Sequence, residues 1–264
     1  MKRVMSIATS DSGAGAGIQA DLKAFLRCNV YGTTAIVATT AQSTVGVTDI
    51  YAFPPQVAVE QIETVVSDIG VDAVKTGMLF NAGIISAVAR ALDRFRLPNV
   101  VVDPVMVAES GAALLQPDAV ETYKNELFPL ATVITPNINE AFALLGEKLD
   151  EDVVKDCAVT LYSLGPKAVI ITGGHTTSGA DLLYDGEKFI RIEGPVHKKH
   201  TTHGAGCTHS SALACFLALG FDTEEAARRA RVVASEAVEY GLDEIGAGAG
   251  PVHALGRILE GVGR

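Results

Sequence analysis

Short runs of Val, Ile and Ala recur along the chain, and between them apolar residues return at spacings of three and four. The first pattern predicts strands buried on both faces, and the second predicts amphipathic helices. Strands are expected at residues 4–8, 33–39, 73–76, 100–103, 132–135 and 168–172. Helices are expected at 18–27, 55–69, 82–95, 117–128, 139–145, 151–164, 206–219 and 223–240. This alternation specifies an α/β fold, a mostly parallel sheet covered by helices. Two stretches break it, residues 46–53 and residues 181–192, the latter with an Asp185-Gly186 turn. Both read as hairpins, the first as a small lid.

No repeat, low-complexity tract or Pro/Ser linker interrupts the pattern, so residues 1–264 are expected to form a single domain. The composition, 48% hydrophobic and 20% charged, is that of a globular chain, not a disordered one. With 21 Lys+Arg against 31 Asp+Glu, the formal net charge is −10. Such a surface repels phosphate backbones, and Lys198-Lys199 is too short a basic stripe to draw in nucleic acid. The longest apolar run, residues 212–221, falls well short of a membrane span, and the N-terminus lacks a signal-peptide layout. A cytoplasmic protein without a membrane partner is therefore expected. The four cysteines, Cys28, Cys157, Cys207 and Cys215, contain no C-x-x-C pair and do not suggest a disulfide framework.

Glycine-rich pieces sit at the junctions between elements, where open parallel sheets bind ligands. The first, residues 13–17, reads G-x-G-x-G and then Ile18, so it misses the last glycine of a dinucleotide-binding turn. No G-x-x-x-x-G-K-[ST] phosphate loop occurs anywhere. Asp11 and Asp21 bracket this loop, which favours an approach loop for a small substrate. The second junction, Thr202-His203-Gly204-Ala205-Gly206-Cys207-Thr208, leads into an apolar helix. Its small residues leave the amides of Ala205, Gly206 and Cys207 free at a helix N-terminus, an anion site. Cys207 in that field is expected to have a depressed pKa. His197, His200, His203 and His209 crowd the same loop, but their spacing does not match a zinc site.

Six ordered segments carry a resemblance: Ser10-Asp-Ser-Gly-Ala-Gly-Ala-Gly-Ile-Gln-Ala-Asp-Leu-Lys23, Ala41-Gln42, Asp68-Ile-Gly-Val-Asp-Ala-Val-Lys-Thr-Gly-Met78, Val102-Asp-Pro-Val-Met106, Thr135-Pro-Asn-Ile-Asn-Glu-Ala141 and Thr202-His-Gly-Ala-Gly-Cys-Thr208. Together they resemble the hydroxymethylpyrimidine/phosphomethylpyrimidine kinases of thiamine biosynthesis, which belong to the ribokinase-like superfamily. The resemblance implies a three-layer fold with a small β lid, ATP and Mg²⁺ as cosubstrates, and a homodimer. It implies phosphorylation of 4-amino-5-hydroxymethyl-2-methylpyrimidine and then of its monophosphate. It makes Gly204, Ala205 and Gly206 an anion hole and Cys207 the catalytic base. Asp103 and Glu140 match acidic positions near Mg²⁺. Asp21, Gln42, Met78 and Val105 match the substrate pocket, and Thr172, Gly173 and Thr208 the nucleotide site. In a loose phosphoryl-transfer transition state a weak base suffices, since positioning and charge neutralisation carry the load.

Three positions depart from the family pattern. Thr9 stands where a glycine is usual, Thr40 where an aliphatic residue lines the ring, and Thr172 of Thr172-Gly-Gly-His175 where a lysine is common. Thr172 with His203-Gly-Ala-Gly206 resembles bacterial pyridoxal kinases of the same family. Gln42 and the glycine-rich residues 246–251 favour the pyrimidine. A catalytically silent ligand-binding protein on the same fold is the third reading, disfavoured by the intact set of Asp103, Glu140 and residues 204–207.

Overall fold

A computed structural model describes residues 1–107, 115–116, 118–146, 154–173 and 179–256. Among the described residues, nine strands form one sheet: β1 Arg3–Asp11, β2 Tyr31–Ser43, β3 Gly46–Ala52, β4 Ala73–Thr76, β5 Val100–Val102, β6 Val133–Ile134, β7 Val169–Ile171, β8 Asp181–Tyr184 and β9 Phe189–Ile192. Their spatial order is β3-β2-β1-β4-β5-β6-β7-β8-β9. The six strands from β2 to β7 pair in parallel, and β3, β8 and β9 join antiparallel at the two ends.

The two-residue period of a strand sorts its side chains between two cores. Met5, Ile7, Val74, Val100, Val102 and Ile134 face one layer. That layer is built by α2 Pro55–Asp68, α3 Ala82–Arg94, the short α4 Ala119–Thr122, α5 Ile138–Leu145 and α6 Val154–Tyr162. Val4, Ala73, Val101, Val133 and Ile170 face the other, built by α1 Gly17–Arg27, α7 Ala205–Ala218 and α8 Thr223–Glu239. Burial on both faces explains why these strands read as continuous apolar runs. Among the described residues, no helix is long and apolar enough to cross a membrane.

Two expected elements come out differently. Residues 46–53 are not a hairpin of their own: β3 pairs antiparallel with β2, which continues to Ser43 beyond the expected end at residue 39. Alternation through Thr39, Thr40 and Ala41 carries β2 on, so the lid is the projecting end of a core strand with β3 folded against it. The helix expected at 117–128 is α4 followed by a wide π turn, Tyr123–Leu127, and a 3₁₀ turn, Phe128–Leu130. Pro129 lacks the N–H that an α-helix would use there. Residues 151–153, the start expected for α6, lie outside the described residues. The 181–192 hairpin is present as β8 and β9.

From β1 the chain moves outward to β2 and β3, then crosses back to β4 on the other side of β1. The order therefore reverses between β1 and β4, and the crevice beyond the carboxyl ends of such strands is where open α/β sheets bind ligands. Asp11, Met78 and Asp103 lie at or just beyond the carboxyl ends of β1, β4 and β5.

Candidate active site

A cavity of about 270 Å³ opens at that switch point. Gln42, Met78 and Val105 line it, as do Asp103 and Glu140, Thr172, and the loop Gly204, Ala205, Gly206 and Cys207. Three expected site residues are not in its wall. Asp21 is fully buried behind it, taking hydrogen bonds from Ser6 Oγ at 2.5 Å, Ser211 Oγ at 2.7 Å and Lys75 Nζ at 2.8 Å. Thr208 is fully buried in α7, one residue beyond the rim. Gly173 sends its amide to Asp181 Oδ1 at 2.8 Å, and a Cβ there would meet the Ala180 carbonyl oxygen at 1.8 Å. Both lie where packing against the next element requires a small or buried residue. His175 lies outside the described residues.

The anion loop is shaped by backbone conformation. Gly204 caps α7 at φ +89°, and its Cα approaches the Gly15 backbone so closely that a Cβ would lie 1.9 Å from the Gly15 carbonyl oxygen. Only glycine reaches that conformation without strain. The amides of Gly206 and Cys207 open α7 without a backbone acceptor, whereas the Ala205 amide, expected to be free, donates to the Thr202 carbonyl at 3.0 Å. Asp11 braces the facing loop: its carboxylate accepts from the amides of Gly13, Gly15 and Ala16 at 2.8, 3.1 and 2.9 Å. His203 Nε2 lies 3.2 Å from Asp11 Oδ2 and 3.5 Å from Gln42 Nε2, joining the Asp11 loop to the end of β2. Thr40 Oγ1 donates to Gln42 Oε1 at 3.0 Å, so the hydroxyl that replaces an aliphatic residue orients this amide. Thr9, the other departure at this end, donates to the Met78 carbonyl at 3.0 Å and ties β1 to β4.

Lys75 is a cavity residue that its place inside an apolar strand hides from sequence reading. It lies in β4, is fully buried, and reaches the cavity floor. Its ammonium stands 4.0 Å from Asp103 Oδ2 as well as 2.8 Å from Asp21. Burial disfavours that charge, but Asp21, Cys207 and Asp103 outweigh it and hold the pKa above the ordinary lysine value. A lysine inside an otherwise apolar strand was the signal, since lysine is seldom buried unless paired.

Cys207 is a correction to the expected thiolate. Burial pushes its thiol up to about 12, with Asp21 and Asp103 adding to the rise and Lys75 opposing it. The helix N-terminus does not offset the loss of hydration in a confined cavity. The free protein holds Cys207 as a neutral thiol.

Glu140 forms a capping box at the start of α5: Asn137 Oδ1 accepts from the Glu140 amide and Glu140 Oε2 from the Asn137 amide, both at 2.9 Å. It also lines the cavity, so one carboxylate both caps α5 and faces the site. Burial and then the charge of Asp103 raise Glu140 to about 8. Burial also raises Asp103, which Lys75 and a 2.8 Å hydrogen bond from Ser210 Oγ partly restore. Two buried carboxylates that repel one another are a hard-oxygen donor set suited to Mg²⁺ shared with phosphate oxygens. His209, unanticipated as a wall residue, is buried in α7 with Nε2 3.5 Å from Asp181 Oδ2. Burial pulls its pKa down. His197 contacts Ser235 Oγ at 2.8 Å. Among the described residues, no group of three or more His, Cys, Asp or Glu is arranged to hold a metal by protein ligands alone.

Comparison with known proteins bears on this arrangement. Residues 11–253 match the phosphomethylpyrimidine kinase family. A hydroxymethylpyrimidine/phosphomethylpyrimidine kinase of Bacillus subtilis is 44% identical over 256 residues, 95% of this chain and 94% of that protein. A thiamine biosynthesis bifunctional protein of Geobacter sulfurreducens is 46% identical over 255 residues, 96% of this chain. The chain spans only about half, 52%, of that longer relative. Among solved structures, an ADP complex of Bacillus subtilis pyridoxal kinase superposes with a TM-score of 0.88 at 37% identity, covering 96% of this chain and 97% of that one. The match over nearly the whole chain, on a mostly parallel sheet with its cavity at the β1/β4 switch point, makes this protein a member of the phosphomethylpyrimidine kinase family, on the ribokinase-like fold.

Proposed function

We propose that the protein is an ATP-dependent kinase that phosphorylates the hydroxymethyl group of 4-amino-5-hydroxymethyl-2-methylpyrimidine and then the resulting monophosphate. The observation that carries this reading is one cavity whose wall holds the oriented amide of Gln42, the start of α7 at Gly206 and Cys207, and the carboxylates of Asp103 and Glu140. After its internal bonds, the Gln42 amide retains a donor and an acceptor position, which suits the edge of an aminopyrimidine. Met78 and Val105 supply apolar contact to the ring.

The amides of Gly206 and Cys207 receive the γ-phosphoryl oxygens as charge spreads over them. Asp103 and Glu140 would hold Mg²⁺, which when bound supplies charge neutralisation at the nucleotide phosphates. Thr172 at the end of β7 lies beside these phosphates, without the cation a lysine would bring. Cys207 takes the hydroxymethyl proton, and this requires that the loaded site lower its pKa from the resting value. Compensation of Asp103 leaves the field of Lys75 less opposed at the thiol, which is the direction needed. The cytoplasm, where ATP is plentiful, is the expected location. A homodimer would pair through the outer edge of β3, where Val45 and Tyr51 are exposed.

Pyridoxal is the competing substrate, favoured by the 0.88 TM-score to a pyridoxal kinase and by Thr172. The test is turnover with Mg-ATP and, separately, the hydroxymethylpyrimidine, its monophosphate, pyridoxal and pyridoxine, read as ADP release and product mass. Two successive phosphate additions to the pyrimidine are expected. Faster turnover of pyridoxal would replace this reading, and silence with all four would leave a binding protein.

Gly204→Ala tests the anion hole. The methyl group collides with the Gly15 carbonyl and forces a left-handed alanine, a strain of about 1–3 kcal/mol. A fall of at least tenfold in kcat with retained secondary structure is expected. Wild-type turnover would show that the loop's geometry does not matter.

A further inference from the structure

The glycine-rich residues 246–250 do not line the cavity, yet their backbone meets the lid close to Gln42. The pairing of β2 with β3 becomes irregular just before the lid tip. Ala41 pairs with Asp49 but Gln42 with Val47, so Thr48 is the extra residue of a bulge, and its hydroxyl donates to the Ala41 carbonyl at 2.9 Å. Beyond the bulge, Gln42 with Val47 and Ser43 with Gly46 complete the ladder, and Val45 at the turn is exposed. So short a hairpin end is not rigid by itself. The tip is pinned from two sides instead. On one side Ser12 Oγ donates to the Gln42 carbonyl and accepts from the Gln42 amide, both at 2.8 Å. On the other, Thr44 Oγ1 accepts from the Gly248 amide at 3.3 Å. A Cβ at Gly246 would lie 2.0 Å from Thr44 Oγ1, and one at Gly248 would lie 1.9 Å from the Thr44 carbonyl oxygen. The two chains meet this closely because neither position carries a side chain.

The glycine segment is in turn fixed to the residues that lead into α7. The Leu242 amide donates to the Pro251 carbonyl at 3.0 Å and closes the base of the loop. His203 and Pro251 form a parallel bridge, with the His203 amide donating to the Gly250 carbonyl at 3.3 Å and the Val252 amide to the His203 carbonyl at 3.0 Å. His203 directly precedes Gly204, the cap of α7. A continuous set of backbone contacts therefore runs from the lid tip, through residues 246–252, to the start of α7.

We propose that residues 246–250 are a seat for the lid tip, and that Gly248 and Thr44 are positioning residues that set Gln42 relative to the start of α7. The proposal rests on Gln42 being the heterocycle contact. Gln42 holds the ring while the Gly206 and Cys207 amides receive the phosphoryl group, so their separation decides whether the hydroxymethyl oxygen and the γ-phosphorus come into line. Tying both to residues 246–252 fixes that separation before the substrates arrive, and a small misplacement is costly in such a reaction. Because the seat lies outside the cavity wall, its loss is felt through Gln42 and at the heterocycle end.

The test compares the full chain with Gly248→Ala and with Gly246→Ala, the latter alone and combined with Thr44→Gly. Two quantities are read: hydrogen–deuterium exchange of peptides covering residues 40–47, and KM for the heterocycle and for ATP. In Gly248→Ala, exchange across residues 40–47 is expected to quicken about tenfold as the tip comes off its seat. KM for the heterocycle is expected to rise about fivefold or more while KM for ATP stays within about twofold. Gly246→Ala is expected to behave alike, and Thr44→Gly, which removes the side chain that the new methyl group would strike, to return most of the lost protection. Should Gly248→Ala fold poorly, Thr44→Val, which keeps the side-chain shape and removes the hydroxyl that Gly248 meets, applies the same test with smaller changes of the same sign. Unchanged exchange would overturn the seat whatever the substrate proves to be. Faster exchange with an unchanged heterocycle KM, or with an equal rise in the KM for ATP, would overturn the positioning of Gln42. If no heterocycle is turned over, the functional reading fails on its own and the exchange comparison still decides the seat.

Discussion

Lys75→Met is expected to lower the unfolding free energy by about 3–5 kcal/mol, the usual result of removing one partner from a buried ion pair. Asp21 stays fully buried and keeps the hydrogen bonds from Ser6 and Ser211, but it loses the cation 2.8 Å away and its charge is left uncompensated. Replacing both partners, in Lys75→Met/Asp21→Asn, is expected to recover part of the loss, because no net charge then remains buried. The urea midpoints of the three proteins measure this directly. A loss below about 1 kcal/mol in the single variant would mean that the pair is not the anchor its geometry suggests. The pH dependence has a definite sign. The folded pKa of Lys75 is raised, so its contribution is complete below the ordinary lysine value of about 10.4 and is lost only as pH rises through the folded pKa. Within the neutral range the contribution is constant.

The second large effect is catalytic. Cys207→Ala is expected to reduce kcat by about 10²–10⁴, the range for loss of a general base, while KM for both substrates changes little. That split separates a base from a binding residue. Because burial raises the resting thiol to about 12, the thiolate fraction of the free protein rises tenfold per pH unit across pH 7 to 10. Iodoacetamide labelling of Cys207 should follow that slope, and saturation of the labelling rate below pH 9 would contradict it. Binding of Mg²⁺ with a non-hydrolysable nucleotide should move the labelling profile to lower pH if compensation of Asp103 frees the field of Lys75.

Much of the site is legible in the residues because its parts are local in the chain. The run 204–207 at a helix start suggests an anion hole from local sequence alone, since an α-helix supplies no acceptor for the amides of Gly206 and Cys207 there. Gln42, Met78, Val105, Asp103 and Glu140 all reach the cavity because each lies at or just beyond the carboxyl end of a strand, or at the start of the helix that follows one. Asp21 is the instructive failure. Its motif neighbours line the cavity, but position 21 falls on the inner face of α1, and helical rotation turns the carboxylate toward Lys75 and α7. Thr208 fails for the same reason on α7. The lid was misjudged because β2 is one strand serving both core and rim, and local alternation does not mark where a sheet ends and a projection begins.

From hydrophobic period, turn residues and motif spacing alone follow the α/β class, the mostly parallel sheet, the identity of most strands and helices, and the glycine loop that opens α7. These depend on neighbours within a few residues, where steric and hydrogen-bond rules act directly. Charge states and partnerships depend on what approaches from distant parts of the chain. The thiol of Cys207 changes from an expected thiolate to a neutral group through burial and the carboxylates of Asp21 and Asp103. Lys75 becomes a buried anchor because β1, α1 and α7 bring Ser6, Asp21 and Ser211 around it. Desolvation and proximity are properties of the packed chain, and only the tertiary structure decides them.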